Sequence, residues 1–139
     1  MDNNLKFVGI VHSGLKSLDE CPKQSDDGNA PDALIEIFLE YREGLQDIRS
    51  GAEILLITWL HMANRNTLTC HPQDDLRNPL TGVFSTRSAD RPNPLGLHYV
   101  KVIDIPESGI LRIDRLEVID KTPVVDIKPV LRWKNKSIF

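Results

Sequence analysis

Short β-branched and apolar segments separated by turn residues recur along the whole chain, and this pattern constrains the fold more than any other feature. Many short strands with frequent turn signals are typical of a β-barrel or a β-sandwich, and they disfavour alternating strands and helices. The predicted strands cover residues 6–12, 33–41, 53–61, 82–85, 97–105, 110–119, 124–127 and 130–133, with a helical turn over 44–48. We therefore expect an all-β fold.

Some segments are ambiguous or irregular. Apolar residues over 34–48 fit both helical spacing and strand alternation, and the density of Ile and aromatic residues favours a strand up to Tyr41. The alternation in 110–119 changes phase, which predicts a bulge or bend near Asp114 and Arg115. Two long polar segments, residues 13–31 and 62–80, are predicted loops.

A composition of 40% hydrophobic and 27% charged residues over 139 residues predicts one soluble globular domain spanning residues 1–139. The longest apolar run is too short for a membrane span, and the N-terminal residues lack the features of a secretory signal. We therefore expect a cytoplasmic protein with no membrane association, in which Cys21 and Cys70 are reduced. The spacing of Cys and His fits no zinc motif, so no metal is expected.

The net charge of −3 is unevenly distributed, with 5 Lys and Arg against 11 Asp and Glu in residues 1–60 and 7 against 4 in residues 112–139. An acidic chain is not a general polyanion binder, but a local basic face can still contact a phosphate backbone. On charge alone, an ordinary solvated surface is the favoured interpretation.

The most unusual segment is 86–97, where Pro92 and Pro94 restrict the backbone of themselves and of their preceding residues. Prolines at this density predict a stiff extended loop, neither a helix nor a central strand. Two guanidinium groups on a rigid loop, from Arg87 and Arg91, suit a carboxylate or phosphate ligand. Gly96 permits the close approach of a ligand or a second backbone. A structural proline turn with two surface arginines explains the spacing equally well.

A second segment, 118–129, combines a predicted turn at Asp120, Thr122 and Pro123 with a short strand. Asp126 and Lys128 alternate with apolar residues, so they are predicted to share one face of that strand. A surface ion pair accounts for this segment taken by itself.

Taken together, these motifs resemble the TsaA-like family, also called YaeB or TrmO, of S-adenosylmethionine-dependent tRNA methyltransferases. The resemblance covers about residues 7 to 130. It rests on Gly9-Ile10-Val11-His12-Ser13, Pro22-Lys23-Gln24, Trp59-Leu60-His61, Ser85-Thr86-Arg87-Ser88, Arg91-Pro92-Asn93-Pro94-Leu95-Gly96-Leu97, Asp120-Lys121-Thr122-Pro123 and Asp126-Ile127-Lys128-Pro129. The chain departs from the family pattern at Lys23, where Arg is usual, and at His98, where Ser is usual.

The resemblance implies a small β-barrel, a homodimer with S-adenosylmethionine near the subunit interface, and methylation of N6 of threonylcarbamoyladenosine beside the anticodon of tRNA. It implies cofactor contacts at Pro22, Lys23, Gln24, His61, Met62, Arg87, Leu97, Asp120, Lys121, Thr122 and Pro123. Arg91, Asn93 and Lys128 are candidates for binding substrate, and His61, Asp120 and Asp126 are candidates for a general base, between which the sequence does not choose. A C-terminal domain that bacterial members often carry is expected to be absent.

Two other functions are compatible with the sequence. A barrel of this size can bind the cofactor or a nucleotide as a sensor without chemistry. It can also methylate another RNA or a small molecule. No strand followed by a glycine-rich turn of the dinucleotide-binding type occurs, so a cofactor is expected on loops of the barrel.

Overall fold

The computed structural model describes residues 1–14, 32–133 and 136–137, and these contain ten strands and three short 3₁₀ helices. The strands are β1 (Gly9–His12), β2 (Ala33–Ile37), β3 (Glu53–Trp59), β4 (Thr69–Cys70), β5 (Thr81–Gly82), β6 (Leu95–Glu107), β7 (Ile110–Ile113), β8 (Pro123–Pro129), β9 (Arg132–Trp133) and β10 (Lys136–Ser137). The 3₁₀ helices are Leu39–Leu45, Pro72–Asp74 and Val83–Ser85. No helix in these ranges is long and apolar enough to cross a membrane.

Six strands close into a barrel in the order β1-β2-β7-β6-β3-β8, and every neighbouring pair is antiparallel. The all-β expectation is confirmed, with the barrel as its form. Alternate residues of each strand point inwards because side chains of a strand alternate between its two faces. The buried apolar core consists of Val11, Ala33, Ile35, Ile37, Ile54, Leu56, Val100, Val102, Leu111, Ile113, Leu116, Val118 and Val124.

The ambiguous segment after residue 33 divides earlier than predicted. Strand β2 ends at Ile37, and residues 39–45 form a 3₁₀ helix, so the predicted strand to Tyr41 and the helical turn over 44–48 were wrong in their bounds. The Phe38 N–H donates to the carbonyl of Val8, and the next turn begins with the Tyr41 N–H donating to the Phe38 carbonyl. This turn lets Tyr41 pack against the barrel core, which the helical spacing of the apolar residues anticipates.

The proline-rich segment ends inside a strand. Strand β6 begins at Leu95 and pairs Leu95, Gly96 and Leu97 with residues 57–59 of β3, so the exclusion of strand from 87–97 fails for its last residues. The predicted strand over 82–85 is also wrong, because Val83–Ser85 forms a 3₁₀ turn closed by the Thr86 N–H on the Val83 carbonyl.

Other boundaries move by a few residues. The structure begins β1 at Gly9, ends β3 at Trp59 and extends β8 to Pro129. The predicted break near Asp114 and Arg115 is confirmed, since β7 ends at Ile113 and Arg115 has a φ of 46°. The chain does not resume as a strand, as was predicted up to residue 119, but crosses one end of the barrel over 114–122.

The predicted loops differ in outcome. Most of the segment 13–31 lies outside the described residues. The segment 62–80 contains β4, which pairs with β5, and the 3₁₀ helix Pro72–Asp74. The predicted strand over 130–133 is reduced to β9 at Arg132–Trp133.

Candidate functional site

One end of the barrel carries the two longest connections between its strands. Because neighbouring strands are antiparallel around a ring of six, β1, β3 and β7 finish at the end where β2, β6 and β8 begin. The three connections at this end are residues 13–32, 60–94 and 114–122. We name it the loop end. Binding residues are commonly on loops that a rigid scaffold positions, so the loop end is the candidate site.

The turn before β8 is tied to the end of β1. The Lys121 N–H donates to the Val11 carbonyl over 2.8 Å, and the Val11 N–H donates to the Thr122 carbonyl over 2.9 Å. A carboxylate oxygen of Asp120 accepts from the Ser13 N–H at 3.0 Å. Lys121 has a φ of 72°, and the buried Thr122 hydroxyl donates to the Ile119 carbonyl, which fixes the turn predicted here.

The proline-rich loop is held from inside by Arg91. Its guanidinium donates to the carbonyls of Val83 and Thr86, each over 2.6 Å, and to that of Ser88 over 2.8 Å. Charge-assisted hydrogen bonds of this kind are stronger than neutral ones, so they stiffen the segment. These donors serve the loop itself in the structure, although the sequence placed Arg91 among the substrate-binding candidates.

Arg65 braces the same loop from outside. Its side chain donates to the Pro92 carbonyl at 2.7 Å and to the Asn93 side-chain oxygen at 3.2 Å. The guanidinium also lies 5.0 Å from the centre of the Trp59 ring, which is cation–π distance. Asn93, another substrate-binding candidate, is therefore engaged through its oxygen. Sequence reasoning missed Arg65, because nothing in its polar neighbourhood distinguishes it from a surface arginine.

Several cofactor candidates lie at the loop end on neighbouring strands. His61 and Met62 follow β3 and are exposed, Met62 at 59%, and the Leu60 N–H before them bonds to the Pro94 carbonyl. Leu97, 39% exposed, lies on the outer face of β6 opposite Ile57. The Asp120–Pro123 turn leads into β8, which pairs with β3 at Thr58 and Val124. Arg87 is exposed in the connection between β3 and β6.

The two charged residues of β8 lie farther along the outer face. Asp126 is opposite Ile57, in the same row as Leu97, and Lys128 is one row beyond, opposite Leu55. The Lys128 ammonium and the Asp126 carboxylate are 3.2 Å apart, which confirms that both side chains share a face. Lys128 lies farther from the loop end than Asp126, and its contact is the surface ion pair that the sequence also allowed.

Pro22, Lys23 and Gln24 lie outside the described residues, as does Cys21. Within the described part of the chain, no group of three or more His, Cys, Asp or Glu side chains converges as metal ligands would. Cys70 is a free thiol there.

The family model for the tRNA-methyltransferase O N-terminal domain matches residues 10–134. The chain belongs to this family.

Relatives and solved structures agree with the match. A probable S-adenosyl-L-methionine-binding protein of Archaeoglobus fulgidus is 38% identical over 125 residues, 90% of this chain and 33% of that protein. The tRNA (adenine(37)-N6)-methyltransferase of Escherichia coli is 30% identical over 133 residues, 89% of this chain and 56% of that protein. The crystal structure of TrmO from Pseudomonas aeruginosa superposes with a TM-score of 0.73 at 26% identity, over 94% of this chain and 57% of that one. This chain thus spans one third to little more than half of these three proteins.

The sequence did not predict one polar cluster that the structure brings together. Thr58, His98 and Glu117 form a hydrogen-bonded chain inside the barrel near the loop end, with Thr58 fully buried and His98 4% exposed. The alternation of β6, where His98 falls in phase with Val100 and Val102, was the available signal that His98 points inwards.

Proposed function

We propose that the chain is an S-adenosylmethionine-dependent methyltransferase that methylates N6 of threonylcarbamoyladenosine next to the anticodon of tRNA. The observation that carries the proposal is the convergence of His61, Met62, Leu97 and the Asp120–Pro123 turn on neighbouring strands at the loop end. The names of the relatives supply the cofactor and the adenine of tRNA as substrate. We therefore also propose that the protein acts in the cytoplasm.

The side chains at the loop end fit the parts of this cofactor. Leu97 and Ile57 form an apolar row on the outer face of the sheet that suits an adenine ring or a thioether. The exposed guanidinium of Arg87 suits the carboxylate of the methionine part, which it can bind with two parallel hydrogen bonds. We propose that Pro22, Lys23 and Gln24 complete the contacts, with Lys23 contributing a point charge in place of a guanidinium fork.

The bound cofactor supplies an electrophilic methyl group. The protein's contribution is to hold the acceptor nitrogen in line with that group and to exclude competing geometries. The nitrogen is a poor nucleophile in a carbamoylated adenosine, so an acceptor for its proton assists the reaction. The stiff proline loop, braced by Arg65 and Arg91, gives the site walls that do not need to be ordered on binding.

Among the three candidate bases, the geometry favours His61. Asp120 accepts a hydrogen bond from the Ser13 N–H, and Asp126 is paired with Lys128 and accepts from the Ile127 N–H. His61 is exposed at the end of β3, and the unprotonated ring nitrogen of a neutral imidazole is a proton acceptor. We propose that His61 accepts the proton from the substrate nitrogen and that Asp120 positions the turn.

We also propose that the chain works as a homodimer. The connection 60–94 exposes apolar side chains, at Met62, Leu68, Leu76, Leu80 and Phe84. Apolar groups grouped on one segment mark an interaction surface, and a second copy would cover them and complete two equal sites.

Methyl transfer from labelled S-adenosylmethionine tests the proposal, with tRNA that carries the threonylcarbamoyl group compared with tRNA that lacks it. The proposal expects label only in the first RNA, at the modified adenosine. Equal labelling of both RNAs would show that the methyl acceptor does not require the threonylcarbamoyl group and is a different site on RNA. A His61→Ala variant is expected to lose turnover by a much larger factor than it loses cofactor affinity.

A cofactor-binding barrel without chemistry is the second candidate. It is favoured by the relatives whose names state only S-adenosyl-L-methionine binding. Tight cofactor binding without label transfer to tRNA, or to any component of a total RNA and metabolite extract, would support it.

A further inference from the structure

A short chain of polar side chains lies in the largely apolar interior of the barrel, near the loop end. The Thr58 hydroxyl and the His98 Nε2 are 2.7 Å apart, and the His98 Nδ1 lies 3.3 Å from a carboxylate oxygen of Glu117. With Glu117 as a carboxylate and the imidazole neutral, the ring hydrogen is on Nδ1, and Nε2 accepts from the Thr58 hydroxyl. One imidazole therefore links β3, β6 and the crossing segment 114–122.

The surrounding residues are arranged to leave room for this imidazole. Gly96 is buried, and a Cβ at this position would overlap both the Thr58 hydroxyl oxygen and the His98 Nε2. The close approach that the sequence expected at Gly96 is thus made by two neighbouring side chains of the barrel itself.

Glu117 has few alternatives to His98. Its second carboxylate oxygen is buried and has no hydrogen-bond partner in the described part of the chain. The Glu117 side chain is 20% exposed, so a carboxylate that loses its His98 donor keeps only limited access to water, and the loss is costly. Glu117 is flanked by the buried Leu116 and Val118, and Asp120 follows three residues later.

We propose that His98 is a positioning residue for the ligand site. By fixing Glu117 to β6 it holds the crossing segment, and hence the Asp120–Pro123 turn that follows, in place at the loop end. This inference rests on the proposed function for its effect on ligand binding. The bond from Nδ1 to Glu117 does the positioning, whereas the bond to Thr58 orients the ring.

Two substitutions of His98 distinguish the bond to Glu117 from the bond to Thr58. An asparagine amide can occupy the place of the imidazole Nδ1 and donate to Glu117, and a glutamine amide can reach the place of Nε2 and contact Thr58. His98→Asn should therefore preserve the turn, and His98→Gln and His98→Ala should release it. Thr58→Val removes the other bond at nearly constant volume and should leave the turn in place.

Amide hydrogen exchange of the ligand-free protein tests the positioning directly. The Lys121 and Thr122 amides, which bond to the Val11 and Ile119 carbonyls, are the reporters. His98→Gln, His98→Ala and Glu117→Ala should each speed their exchange about tenfold, and His98→Asn and Thr58→Val should not. Val102→Ala is the matched control, since it opens a cavity on the same inner face of β6 and should leave these amides unchanged.

S-adenosylmethionine binding measured by calorimetry then tests the consequence. The variants that release the turn should bind about tenfold more weakly, and the His98→Ala and Glu117→Ala losses should not add in the double variant. Unchanged exchange in His98→Gln and Glu117→Ala, or equal exchange in the Asn and Gln variants, overturns the positioning role. Normal exchange effects together with no cofactor binding by the unsubstituted chain overturn the proposed function and leave the positioning intact.

Discussion

The two ends of this barrel are built from the same six strands but differ in how the strands are connected. The loop end has the two longest connections, and its connections carry Pro92, Pro94, Arg87 and the Asp120–Pro123 turn. The opposite end, named here the closed end, has the two-residue hairpin Ser108–Gly109 and the 3₁₀ helix Leu39–Leu45, whose Tyr41 and Leu45 pack on the core.

Cavity size alone does not identify the functional end. A cavity of about 360 Å³ lies at the closed end, lined by residues that include Arg42, Leu45, Ile105 and Gly109. There, the Arg42 side chain donates to the Ile37 carbonyl at 2.9 Å, which is a structural use of a guanidinium. The loop end instead brings together apolar, cationic and hydrogen-bonding side chains from several strands. This convergence identifies the candidate site better than cavity volume does.

The largest expected effect is a difference in cofactor affinity between alanine variants of one arginine at each end. Arg87→Ala should weaken S-adenosylmethionine binding by about 1.5–3 kcal/mol, roughly 10- to 150-fold, because it removes a charge-assisted pair with a ligand carboxylate. The melting temperature of the ligand-free protein should barely change. Arg49→Ala, which removes an exposed guanidinium near the closed end, should alter neither quantity. A lower melting temperature for Arg87→Ala with normal binding would make Arg87 structural.

A glycine of each end gives the next largest difference. Gly96→Ala should lower the free energy of unfolding by about 1–3 kcal/mol, because the added methyl group overlaps Thr58 and His98 in a packed interior. Gly44→Ala, in the 3₁₀ helix of the closed end, has nothing within 4 Å of the added carbon and should be tolerated. Denaturant unfolding of both variants measures the difference. If Gly96→Ala lowers the free energy of unfolding no more than Gly44→Ala does, Thr58 and His98 can move to accommodate the added methyl group, which would contradict the prediction.

Dilution should affect the loop end selectively if a second copy completes it. Cofactor affinity is expected to fall severalfold as protein concentration drops. Phe84→Asp replaces an 84% exposed apolar ring with a carboxylate and should cause the same loss of affinity at high protein concentration. Light scattering in parallel with cofactor titration measures both effects. A monomer that binds with full affinity would show that one chain makes a complete site.

The smallest effect concerns the exposed Asp75–Arg77 pair in the connection 60–94. Side-chain and backbone hydrogen bonds from Arg77 hold the pKa of Asp75 below its usual value. The contribution to stability is therefore present above the usual Asp pKa and is lost as pH falls through the lowered one. Since the pair is exposed, Asp75→Asn should leave melting and cofactor binding at pH 7 unchanged. A clear loss of binding would give this pair a role in the site.

The all-β class and most strand centres could be predicted because apolar alternation survives in the final packing, as in the buried Val100 and Val102 of β6. The ends could not, since they depend on partners distant in sequence. Strand β2 stops at Ile37 because Phe38 bonds to Val8, and β6 begins at Leu95 because Trp59 lies opposite.

The candidate site was accessible from the sequence only through motifs. Proline density predicts that the loop is stiff, but it does not show that Arg91 and Arg65 provide the bracing, because their acceptors are backbone carbonyls with no sequence signature. The Glu117 carboxylate and the His98 imidazole, 19 residues apart, meet only after β7 has paired with β6.

The most direct test of the difference between the two ends is amide hydrogen exchange with and without S-adenosylmethionine. The account predicts slower exchange on cofactor addition at residues 60–62, at Leu97 and at residues 120–123, with no change in the helix Leu39–Leu45. Protection confined to the closed end, around Arg42 and Gly109, would contradict it.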